Sequence, residues 1–239
     1  MKKIPEIKIC GLTDPDHAVA CALAGADAVG CVFFEKSPRN LDNRKAREIC
    51  HALPDDVASI GVFVNEDFSH IMKKVEFCGL DGVQLHGHES PELAHDFLRE
   101  GLIVIKALFT NKKPDFSDAD LYSDAGLYSN AGSSYEPSAF LVECGKGVLP
   151  GGNAQTWNYE EAGQFAGRYP FIIAGGLGPE NIVEAIKQSN PDGVDVSSGV
   201  EASPGVKDIL RVKEFIRLVN LAGVDRKDGE KTKRIFNRE

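Results

Sequence analysis

Between residues 6 and 222 the sequence repeats one pattern: a short apolar run, a turn or loop, then a stretch whose apolar residues recur at helical spacing. Strands are predicted at Glu6–Gly11, Ala28–Phe33, Ala58–Val64, Gly82–Leu85, Ile103–Leu108, Ala139–Glu143, Phe171–Ala174 and Gly193–Val196. Helices are predicted over 14–25, 42–52, 67–77, 91–100, 158–168, 179–188 and 206–222, with Asn65 as the cap of the third. Only the fifth unit is degenerate: residues 109–137 are rich in Asp, Ser, Tyr and Gly and lack helical period. Alternating strands and helices require a parallel sheet with right-handed crossovers. Eight such units at this length close into a barrel. An open dinucleotide-binding sheet calls for G-x-G-x-x-G after the first strand, and Ile7-Lys8-Ile9-Cys10-Gly11-Leu12-Thr13 has none. The expected fold is α/β, a single (β/α)8 TIM barrel over residues 1–222, followed by a charged, apolar-poor tail at 223–239 expected to fray.

The net charge of −9 excludes a general nucleic-acid or anionic-membrane binder, so an anionic ligand needs local arginine, lysine or backbone amides. The six cysteines form no C-x-x-C pair and no zinc spacing, and no His/carboxylate set suits a metal. The first ten residues, MKKIPEIKIC, lack an apolar signal core, and no stretch approaches membrane-span length. These features predict a reduced, soluble, cytoplasmic protein, monomeric or homodimeric, with a small-molecule ligand.

A barrel gathers the loops after its strands on one rim, where barrel chemistry sits. Reading those loops gives Cys10 after the first strand, Ser37-Pro38-Arg39 after the second and His86 after the fourth. The sixth strand ends at Glu143 and leads to Gly151-Gly152. Gly175-Gly176 follows the seventh, and Asp195 with Ser197-Ser198-Gly199 ends the eighth. Glycine-rich turns here free backbone N–H groups for an anion, so a phosphorylated ligand is expected, although glycines also serve tight turns. The Arg39 fork suits a carboxylate or phosphate. Cys10 and Glu143 would face each other across the mouth as general base and general acid of an isomerisation. A lone cysteine also packs, a carboxylate also pairs inside a barrel, and His86 equally suits a structural hydrogen bond.

These residues resemble the phosphoribosylanthranilate isomerase family. The likeness rests on KICGLT (8–13), FFEKSPRNL (33–41), GVFVN (61–65), VQLHGHE (83–89), VIKAL (104–108), AGGLGPENI (174–182) and DVSSGVEASPGVKD (195–208). It implies the Amadori rearrangement of N-(5-phosphoribosyl)anthranilate in tryptophan biosynthesis, without a cofactor. By this resemblance Cys10 takes the proton from C2, and the strand-6 carboxyl protonates the ring oxygen. Arg39 holds the anthranilate carboxylate, and His86 and Asp195 line the substrate. Gly151, Gly152, Gly175, Gly176, Ser197, Ser198 and Gly199 hold the phosphate.

Strand 6 departs from the family pattern. Glu143 stands where the family has Asp, and Ala154 and Asn158 replace a glycine and a capping Asp. Glutamate keeps the carboxyl but moves it by about 1 Å, a displacement able to cost about 10²-fold in rate. Two alternatives follow: a diverged paralogue with the phosphate site retained and another phosphorylated sugar as substrate, or a low-activity or non-catalytic binding barrel.

Overall fold

Strands buried on both faces read as continuous apolar runs, and eight such runs build the core here. The structure, a computed structural model, describes residues 2–110, 113–123, 137–145, 156–225 and 234–236. Its strands are β1 (Glu6–Cys10), β2 (Ala28–Phe33), β3 (Ala58–Phe63), β4 (Gly82–Leu85), β5 (Ile103–Phe109), β6 (Ala139–Glu143), β7 (Phe171–Ile173) and β8 (Gly193–Val196). All neighbours run parallel, and β8 closes on β1. Among the described residues the helices round the barrel are α1 (Pro15–Leu23), α2 (Asn43–Ala52), α3 (Phe68–Cys78), α4 (Pro91–Arg99), the short α5 (Ala119–Ser123), α6 (Ile182–Ser189) and α7 (Ile209–Ala222). The predicted (β/α)8 barrel is therefore the observed fold.

Capping fixes where each helix leaves the rim. Asp14 accepts hydrogen bonds from the Asp16 and His17 amides with Pro15 in the first turn, and Asp42, Ser90 and Asp208 cap α2, α4 and α7. Asp67, not Asn65, caps α3. Asn65 instead takes a left-handed turn (φ 54°), and its Oδ1 accepts from the His88 amide at 2.6 Å.

Three further readings are corrected. The helix expected over 158–168 is a 3-10 helix, Tyr159–Phe165. Gly163 and Gly167 each weaken an α-helix there by about 1 kcal/mol. Meanwhile Trp157 Nε1 and Tyr159 OH donate to the Ala174 and Gly175 carbonyls at 2.8 and 2.7 Å, tying the segment to the end of β7. The last helix starts at Ile209 rather than 206, because Glu201–Ser203 and Val206–Lys207 form a small hairpin turning at Gly205 (φ 83°). The tail is not wholly frayed: Val224–Asp225 pairs antiparallel with Lys2–Lys3, and Ile235 and Phe236 are buried with their amides donating to the Glu6 carboxylate.

Candidate active site

The site begins with register on one strand. Lys8 and Cys10 are two residues apart on β1, so both side chains point into the barrel. The register of β1 on β8 sets Lys8 beside Asp195, and Lys8 Nζ donates to Asp195 Oδ1 at 3.0 Å; Lys8 is completely buried. Cys10 pairs in register with Gly30 on β2, where a Cβ would stand 2.6 Å from the cysteine sulfur. Glycine at position 30 thus makes the room that the thiol occupies. Burial pushes the Cys10 thiol up, and the charge of the Lys8 ammonium on the same strand face is the first of the effects opposing that rise.

Across the cavity, β6 ends at Glu143, 5% exposed. Its Oε1 lies 3.0 Å from His86 Nε2, and His86 Nδ1 lies 2.8 Å from Gln84 Nε2. As drawn, Gln84 donates to Nδ1, and Nε2–H donates to an ionised Glu143. Gln84 Oε1 is then buried without a partner among the described residues. Turning the amide over reverses both bonds: Oε1 accepts from Nδ1–H, and Nε2 accepts from a protonated Glu143. The same heavy-atom distances fit either direction of donation along the Gln84–His86–Glu143 chain.

The loop holding His86 is pinned from beneath. Lys106 Nζ, fully buried, donates to the Gly87 carbonyl at 2.8 Å and to Glu89 Oε2 at 2.7 Å. Glu89 in turn accepts from the Gly87 and Asn65 amides. Burial alone would raise the Glu89 carboxyl, and Lys106 overcomes it and holds it below the usual range.

Arg39 crosses the Cys10–Gly11 turn. Gly11 has φ 78°, and a Cβ there would strike the Arg39 side chain. The arginine fork is already engaged, its Nε and Nη2 donating to the two Glu201 oxygens at 2.8 and 2.6 Å. Lys207 Nζ donates to the same carboxylate at 2.8 Å and to the Ser197 carbonyl at 3.1 Å. The bidentate face assigned to a substrate carboxylate is thus spent within the protein, which leaves Nη1.

The loops after β7 and β8 meet at Gly199, where a Cβ would collide with the Leu177 carbonyl. Gly175 and Gly176 both have positive φ, 85° and 67°. Arg211 draws the Gly199 carbonyl outward through Nε and Nη2 at 3.1 and 2.9 Å. Among the described residues, the amides of Gly175, Gly176 and Ser198 donate to no protein acceptor, which suits an anion.

Cys10, Arg39, His86, Glu143, Gly175, Gly176, Asp195, Ser197 and Ser198 all line one cavity of about 100 Å³, with Val32, Phe34 and Val62 as an apolar wall. Gly199 stands just behind it, and Gly151 and Gly152 lie outside the described residues. Sequence reasoning passed over Lys8, Gln84, Glu201 and Lys207. The signal for Lys8 was a charged residue in the middle of an apolar strand, on the same face as Cys10. Among the described residues no group of His, Cys, Asp and Glu could hold a metal ion, and no helix is long and apolar enough to cross a membrane.

Closed parallel barrel, rim cavity and opposed polar groups define a (β/α)8-barrel enzyme. The sequence model of N-(5'-phosphoribosyl)anthranilate (PRA) isomerase matches residues 7–218, and the chain belongs to that family. The N-(5'-phosphoribosyl)anthranilate isomerase of Desulfatibacillum aliphaticivorans is 50% identical over 220 residues, covering 92% of this chain and 95% of its own. The crystal structure of phosphoribosyl anthranilate isomerase from Thermotoga maritima superposes with a TM-score of 0.78 at 35% identity, over 90% of this chain and 98% of that one. A phosphoribosyl anthranilate isomerase in complex with reduced 1-(o-carboxyphenylamino)-1-deoxyribulose 5-phosphate does so with a TM-score of 0.75 at 34% identity, again over 90% and 98%.

Proposed function

We propose that this cavity isomerises N-(5'-phosphoribosyl)anthranilate to 1-(2-carboxyphenylamino)-1-deoxyribulose 5-phosphate, the Amadori step of tryptophan biosynthesis. The observation that carries the reading is the opposition, in one cavity, of the buried Cys10 thiol and the Glu143 carboxyl held at 3.0 Å from His86 Nε2. Glu143 gives its proton to the furanose ring oxygen, and the C1–O bond opens to a Schiff base. Cys10, as thiolate, removes the proton from C2, which yields an enolamine. Ketonisation follows, with C1 gaining a proton and the C2 hydroxyl losing one. The sugar phosphate rests on the free amides of Gly175, Gly176 and Ser198 and on the Ser197 loop, beside Gly199. Gly151 and Gly152 complete this set by the sequence resemblance. The aryl ring packs on Val32, Phe34 and Val62, and its carboxylate meets Arg39 through Nη1 only. His86 and Asp195 contact substrate through the groups they already orient.

The glutamate side chain is the length that His86 holds. In place of the family's aspartate, it reaches Nε2 at 3.0 Å. Purified protein is expected to consume the substrate, followed as loss of its fluorescence. Glu143→Gln is expected to lower kcat by about 10²-fold or more with little change in KM. No turnover by wild type would remove the reading. A wild type that turns over another phosphorylated sugar instead would establish the paralogue.

The pH dependence has a definite sign. The base works deprotonated, and burial holds the Cys10 thiol above its ordinary value. The kcat/KM profile is therefore expected to climb about tenfold per pH unit through neutrality, its acid limb ending above about 8.5, the value of a free cysteine. A profile already flat at pH 7 would show that a different group is the base.

A further inference from the structure

We propose that Lys8 is a positioning residue for the reaction: its buried ammonium, anchored on Asp195, is the group that stabilises the Cys10 sulfur as a thiolate facing the cavity. The inference rests on Cys10 being the base.

An ammonium completely removed from water is costly unless its donors are matched. Asp195 Oδ1, at 3.0 Å, takes one of the three N–H groups of Lys8. Holding β1 to β8 needs no more than that. The Cys10 sulfur lies two residues along the same strand, on the same face and itself buried, so it stands in the field of this ammonium. In a buried, low-dielectric setting a nearby cation favours the charged thiolate over the neutral thiol. Glycine at position 30 allows the sulfur to stay in reach.

The other charged and titratable groups round the sulfur are fewer or more distant in effect. Lys207 of the hairpin also favours the thiolate, while Asp195 disfavours it. Arg39 and Glu201 neutralise one another by their bidentate pair. The Cys31 thiol of β2 is a buried neighbour, and Glu143 and His86 stand on the opposite wall. Lys8 is the cation on the sulfur's own strand face and the first of the charges favouring the thiolate, and among the described residues its hydrogen bond goes to Asp195.

The test reads the sulfur without turnover. Full-length wild type and Lys8→Met are treated with iodoacetamide from pH 6 to 10.5, and alkylation of the Cys10 peptide is followed by mass spectrometry. The midpoint of the rate–pH curve is expected to rise by at least about one pH unit in Lys8→Met, so labelling at pH 8 slows about tenfold. The acid limb of kcat/KM should move by the same amount. Should Lys8→Met not fold, Lys8→Gln retains a hydrogen bond to Asp195 without the charge, and the same shift is expected of it. A folded variant with lowered melting temperature and an unmoved alkylation midpoint would make Lys8 a strand tie only and overturn the proposal. Failure of the functional reading is separate: it would show as full activity in Cys10→Ala, whatever the alkylation curve does.

Discussion

Cys10→Ala is expected to lower kcat by about 10³- to 10⁴-fold, the upper part of the range for a positioned proton-transfer group. The methyl group fits where the sulfur sits, since Gly30 leaves that space and Val32 and Val62 pack beside it. The Lys8–Asp195 pair, the Arg39–Glu201 pair and the Gly175–Gly176 turn do not depend on the sulfur. Binding of a reduced product analogue should therefore stay within a few-fold of wild type in a calorimetric titration, while turnover vanishes. A variant that turns over at near the wild-type rate would assign the base to another group. One that loses binding and turnover together would mean the sulfur holds the cavity's shape.

Lys106→Met is expected to lower the free energy of unfolding by about 3–5 kcal/mol, the cost of stranding one partner of a buried ion pair. Lys106 and Glu89 are 0% and 5% exposed. Without the ammonium, the Glu89 carboxylate and the Gly87 and Leu85 carbonyls lose their shared donor. Urea melts measure the loss, and Lys106→Met/Glu89→Gln should cost less than the sum of its single changes because the two groups are coupled. The sign with pH follows from Glu89. Its folded-state value lies below the ordinary one, so its contribution is present above the ordinary carboxylate range and fades as pH falls through the folded value. The gap between wild type and Lys106→Met is therefore widest near neutrality and narrows in acid. Equal melting curves for the two proteins would show the pair to be energetically idle. The same lysine holds the loop that carries His86, so kcat of the folded variant should also fall.

The barrel was legible in the sequence because its signals are local. Eight buried runs, Asp14, Asp42 and Ser90 at helix starts, and glycines at the ends of the seventh and eighth units each act within a few residues. The helix over 158–168 was not legible: its apolar spacing is helical, but Gly163, Gly167 and the two aromatic bonds to β7 tighten it into a 3-10 helix. The tail misled in the same way, since Ile235 and Phe236 are buried in the apolar cluster of Ala28, Ala58 and Ile60, and the Ile235 amide donates to Glu6, 229 residues away. The site's thiol, carboxyl and amide-bearing turns could be named from strand ends alone. Their supports could not. Arg39 and Glu201 are 162 positions apart and Lys8 and Asp195 are 187 apart, and both pairs exist only because β8 closes on β1. The Arg39 fork was assigned outward to a ligand for that reason, when its partner was already within the chain.

The two-residue ladder between Lys2–Lys3 and Val224–Asp225, with Lys3 bound to Asp192 just ahead of β8, lies at the opposite end of β1 from Cys10. Both ends of the barrel domain thus leave from the face turned away from the cavity mouth. A surface anchor or fused domain joined on that side would present every molecule of an immobilised layer with its mouth toward the bulk liquid, open to small solutes.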